Sequence, residues 1–131
     1  MHRVKHLTVL IAGLAFAAPA ALAEPTDLAE LTKSPQKFLG EDVEMRGYCI
    51  KGGRAGDVLG YECTTEAGVY VDAHDVEPET AKQKLADCGA TKSEECQVTV
   101  RFAPHSYTTS GVIEPDKNVI VFNTEKATVT F

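Results

Sequence analysis

Apolar and polar residues alternate from 42 to 50. Val43, Met45, Gly47 and Cys49 share one side, and Glu44, Arg46, Tyr48 and Ile50 the other. A period of two is the signature of a half-buried strand, and a glycine inside it marks a bend or bulge. Upstream, Leu28 and Leu31 lie one turn apart behind Thr26 or Asp27, which predicts a short capped helix that Pro35 ends. The Gly-rich stretch 51–57 reads as a hairpin tip. It leads to a second strand at 58–65, with Leu59, Tyr61 and Cys63 on one side. A third strand is predicted at 69–73. A helix follows at 78–87, with Pro78 in its first turn, Ala81, Leu85 and Cys88 as its stripe, and Gly89 as its stop. Val98, Val100 and Phe102 alternate in a fourth strand at 96–102. Residues 104–111 read as a long polar loop. Val112, Ile113 and residues 118–122 supply a fifth strand or strand pair, and 127–131 a final extended segment.

Composition changes this picture at the N-terminus. The chain has 131 residues, 44% hydrophobic, with net charge −6, which suits one domain. Residues 1–23 differ from the rest. His2, Arg3, Lys5 and His6 make a basic start, an uncharged run follows, and Ala21-Leu22-Ala23 precedes Glu24. These are the three parts of a secretory signal peptide. The competing reading is a membrane anchor, but the apolar run falls short of the ~20 residues a span prefers. The expected division is a signal peptide at 1–23 and one domain at 24–131. The expected location is the periplasm or the secreted fraction. The mature chain then has 11 Lys and Arg against 19 Asp and Glu, a net charge of −8.

Cys49, Cys63, Cys88 and Cys96 all lie beyond the leader. An even count in a small exported domain reads as two disulfides. Three pairings are open, and the chain order favours Cys49–Cys63 and Cys88–Cys96, each across a short local loop. A zinc site is the alternative, and its usual C-x₂₋₄-C spacing is absent.

Five strands with one helix between the third and fourth is the order of an OB-fold-like barrel, a mainly β architecture, here with a short N-terminal helix. Family likeness points the same way. The stretch LAELTKSPQKFLGEDVEMRGYCI, with its P-x-K-F-L-G turn and V-x-M-R-G strand, resembles the opening of bacterial OB-fold proteins. GVYVDA and CQVTVRF are similar to that family's third and fourth strands. The likeness extends to uncharacterised exported single-domain OB proteins. Where the family commonly has Gly after the fourth strand, this chain has Ala103-Pro104. The resemblance implies a binding scaffold and brings no catalytic residues.

Nucleic acid is the common ligand of such barrels and needs a basic groove with exposed aromatics. Net acidity argues against it. Tyr61 shares an apolar side and reads as core. Tyr70 faces the other way and, with Arg46, Arg54 and Tyr107, forms the candidate ligand-contacting set. The loop around Tyr107 and Ile113 is a second candidate contact. Asp72, His74, Asp75 and Glu77 are the candidate metal ligands, against a plainer reading as a solvated strand end and acidic helix start. Enzyme signatures such as G-x-S-x-G, H-E-x-x-H or a Walker loop are missing, and no cofactor is expected. The expected function is non-catalytic recognition of a protein, a peptide or a small cationic ligand by a monomer. The alternative is a metal-dependent hydrolase or nuclease, or a single-strand nucleic-acid binder, on the same face.

Overall fold

The computed structural model describes residues 26–52 and 60–131. The expected leader at 1–23, most of the expected hairpin tip and Arg54 lie outside these residues. Helix α1 (Leu28–Lys33) starts where the Asp27 carboxylate accepts a hydrogen bond from the Ala29 amide at 3.2 Å. It buries Leu31 completely, and a 3-10 turn over Pro35–Phe38 ends the segment. The strands are β1 (Val43–Lys51), β2 (Tyr61–Thr65), β3 (Tyr70–Glu77), β4 (Val98–Phe102), β5 (Ser106–Glu114) and β6 (Lys117–Thr130). Helix α2 (Glu79–Cys88) stands between β3 and β4, and a 3-10 turn (Glu94–Cys96) leads into β4.

Five of the strands close a barrel. β1 runs antiparallel to β2 and to β4, β2 antiparallel to β3, and β4 antiparallel to β6. The ring shuts where β3 and β6 run parallel, from Tyr70 opposite Val121 to Glu77 opposite Thr128. This is the expected mainly β, OB-fold-like barrel, with its two helices in the expected places. The inner sides of all five strands fill it, with Val43, Met45, Val71, Val100, Phe102, Phe122 and Val129 among the buried residues. Ala81 and Leu85 of α2 add to the same core, as does Tyr61.

Both expected cystine pairs are present. Cys49 and Cys63 face each other directly across β1 and β2, with Cα atoms 4.0 Å apart. Cys88 joins the end of α2 to Cys96, at 5.9 Å. Each closed loop contributes about 2–4 kcal/mol by restricting the unfolded chain.

Two expectations need correction. Residues 104–111 are not a loop, because most of that stretch is β5. Its Ser-Tyr-Thr-Thr-Ser sequence has no apolar side, since the strand lies outside the barrel and is held by backbone pairing to β6. The separate segments at 118–122 and 127–131 are parts of one 14-residue strand. Asn123 to Lys126 breaks the apolar rhythm, yet Thr124 is buried and its hydroxyl donates to the Ala103 carbonyl at 3.1 Å. A satisfied hydroxyl can sit inside a strand where a hydropathy pattern would end it.

Gly47 is no bulge. It is the residue at which β1 exchanges its β4 neighbour for β2. A Cβ there would lie 2.1 Å from the Thr64 carbonyl oxygen, so one strand would have to move. Gly47→Ala is expected to lower the unfolding free energy by about 2–3 kcal/mol, the cost of overpacking a tight site. Urea titration followed by circular dichroism checks it, and an unchanged midpoint would contradict this packing.

Candidate functional site

The side chains that β1, β2 and β3 turn away from the core form two rows. Tyr48, Thr64 and Tyr70 make one, and Ile50, Glu62 and Asp72 the other. The segment after α2 rises beside the first two strands. Gly89 ends the helix with φ 56°, the Thr91 amide donates to the Cys88 carbonyl at 3.0 Å, and the Cys88–Cys96 bridge holds both ends of the loop. Between strand face and loop lies a groove of about 350 Å³. Tyr48, Ile50, Glu62 and Thr64 form its floor, Ala90, Thr91 and Lys92 its far wall, and Lys51 and Gly52 one end. Glu62 is 4% exposed, so a carboxylate sits deep in a largely apolar floor.

The groove continues past Lys92. A second hollow of about 270 Å³ shares Tyr48, Thr64 and Lys92 with it and adds Arg46, Glu66 and Gln97. There the Arg46 side chain donates to the Gln97 side-chain oxygen, and the Arg46 amide donates to Glu66 Oε1 at 3.1 Å. Arg46, an expected contact residue, therefore belongs to the groove. Across both hollows Arg46, Lys51 and Lys92 stand against Glu62 and Glu66. On a chain of net charge −6, this strip carries a local excess of positive charge. No family model, curated protein or solved structure matches the chain. The geometry is therefore the sole guide to the site.

Tyr70 does point away from the barrel core, but it is not an open contact. It is 7% exposed and packs with Ile113, Val119 and Val121, because the β5–β6 hairpin lies over its row. Its hydroxyl donates to Glu114 Oε2 at 2.7 Å. Tyr107 is half-buried and its ring centre lies 6.3 Å from that of Phe122, so it too packs against the protein. Ile113, the other residue of the expected contact loop, is buried in the Tyr70 cluster. Arg54 lies outside the described residues.

Asp72, His74, Asp75 and Glu77 do not converge. Asp75 pairs with Lys82 of α2 at 2.8 Å, and Glu77 reaches Lys126 at 3.9 Å and accepts from Thr128 at 3.3 Å. Among the described residues, no three His, Cys, Asp or Glu side chains are grouped to hold a metal ion. Nor is any helix there long and apolar enough to cross a membrane.

Sequence reasoning missed most of the groove. Tyr48 and Ile50 were its available signal, two large apolar residues on the polar side of β1. Lys92 carried none, because its position depends on a disulfide that folds residues 89–92 back toward the sheet.

The Asp75–Lys82 pair shifts the titration of both its members. The hydrogen bond from Lys82 holds the Asp75 carboxyl below its usual range, against a smaller opposing effect of burial. The same bond raises the Lys82 ammonium. The depressed carboxyl stabilises the fold above its unfolded value of about 3.9, and that contribution fades as pH falls through the folded value. The raised ammonium acts below about 10.4, and its contribution fades as pH rises past the folded value. Asp75→Asn should melt slightly below the wild type at pH 7, the difference vanishing in acid below the carboxylate range. A difference that persisted unchanged in acid would show that the pair is not its source.

Proposed function

We propose that this chain is an exported, non-catalytic binding module, and that its groove over β1 and β2 takes an extended segment of a peptide or protein. The observation that carries the reading is the composition of the groove. An apolar floor of Tyr48 and Ile50 is framed by Lys51, Lys92 and Arg46 on one sign and Glu62 and Glu66 on the other. Such a lining suits a ligand with apolar side chains and both charges, which is a description of a peptide. Of the expected ligand classes, a small cation would use Glu62 but leave the lysines opposed. Nucleic acid is disfavoured by the acidic chain and by the hairpin lying over Tyr70. The hydrolase alternative lacks a grouped metal set among the described residues.

Export is supported by the pattern of residues 1–23 and by two cystine pairs, which persist in oxidising compartments. The mass of the protein recovered from the periplasm should correspond to a chain that begins at Glu24 with all four cysteines oxidised. A retained leader or free thiols would overturn the compartment.

The groove is tested with an array of random heptapeptides, the hits then being titrated by calorimetry. Ile50→Asp and Lys92→Glu should each weaken the selected peptide tenfold or more, about 1.4 kcal/mol. Tyr107→Ala, away from the groove, should leave the affinity unchanged. Circular dichroism confirms the fold of each variant. Equal affinity for the wild type and both groove variants would sink the reading.

A further inference from the structure

Barrel closure leaves one strand with a single neighbour. Among the described residues, β1, β2, β3, β4 and β6 are each paired on both sides, and β5 pairs with β6 alone. An unpaired edge presents a row of amides and carbonyls that can template another strand. Proteins usually blunt such an edge with Lys, Pro or inward charge. This one has none. From Phe102 to Ile113 there is no Asp, Glu, Lys or Arg, and no Pro beyond Pro104. The stretch of β6 that pairs with it, from Val119 to Asn123, is also uncharged. Tyr107, Thr108 and Thr109 favour extended backbone. The register is regular from Ser106 to Ser110, and the irregularity falls only between Ser110 and Glu114.

We propose that Ser106–Ser110 is a self-association surface whose partner is a second copy of this chain, added antiparallel across a two-fold axis. Charge selects the occupant. The mature chain carries −8, so most approaches of two copies meet repulsion, whereas the Ser106–Ser110 stretch meets its like without a charge on either side. Centred on Thr108, the pairing sets Ser106 against Ser110, Tyr107 against Thr109, and Thr108 against its own copy. Threonines facing each other across strands exchange hydrogen bonds, and Thr108, which meets its own copy, is exposed. Five residues per strand make a small interface, so the dimer is weak and depends on concentration. Salt tightens it by screening the net charge.

The two-fold centre supplies the test. Sedimentation velocity on the mature protein, up to about 1 mM, the weak end of specific association, should show a dimer that grows with concentration and with added sodium chloride. Thr108→Lys and Thr108→Glu each set like charges face to face. Each alone should lose association at least tenfold while keeping the wild-type circular dichroism. An equimolar mixture of the two should dimerise again through the opposed charges. A wild type that stays monomeric throughout would overturn the proposal. So would a dimer that both variants leave intact, or a mixture that stays monomeric.

Discussion

Everything in this molecule depends on where β6 goes. Over 121–128 it runs parallel to β3, and over 128–130 antiparallel to β4, so one strand joins the two ends of the sheet into a ring. Closure gives backbone partners on both sides to strands that would otherwise be edges. It also turns one side of each strand inward at once, which lets a short chain surround Phe122 and Phe102, whose ring centres lie 6.2 Å apart. The same route explains the polar residues in β6. A strand with neighbours on both sides can bury Thr124 because an acceptor, the Ala103 carbonyl, is already in place.

The ring also decides which outer surfaces remain open. The first half of β6, from Lys117 to Asn123, carries the hairpin with β5 and overlaps the parallel stretch at 121–123, and Ile113, Val119 and Val121 of that hairpin lie over Tyr70. The strand-two and strand-three face, which barrels of this kind use for oligonucleotides, is thereby covered on its β3 side. The β1 side is left open, and there α2 and its disulfide place residues 89–92 opposite Tyr48 and Ile50. One cystine joins the two floor strands and the other anchors the wall, so the groove has its shape before any ligand arrives. A preformed site spares the ordering cost that binding otherwise incurs.

Much of this was legible along the chain. β1 and β4 alternate cleanly because one side of each meets the core and the other meets solvent or the loop. The cysteines paired as their order suggests, since neighbours in a hairpin and at a helix end are neighbours in space. The failures have a common cause. β5 reads as a loop because its 106–110 stretch meets the main core through Tyr107 alone and so shows no alternating apolar side. Tyr70 reads as an open contact because its strand orientation is local, whereas its cover comes from residues more than forty positions away. Lys92 carries no signal in the sequence because only the folded disulfide loop brings it to the groove. Periodicity reports which side of a strand faces inward, and says nothing about what a distant hairpin or loop then places over the other side.

The most direct measurement of the central claim is amide chemical-shift mapping on isotope-labelled protein as an array-selected peptide is added. The account predicts shifts concentrated at Tyr48, Ile50, Lys51, Glu62, Thr64 and residues 89–92, with little change at Tyr70 or along the β5–β6 hairpin. Shifts centred on Tyr70 and the hairpin, with the β1–β2 groove silent, would contradict it.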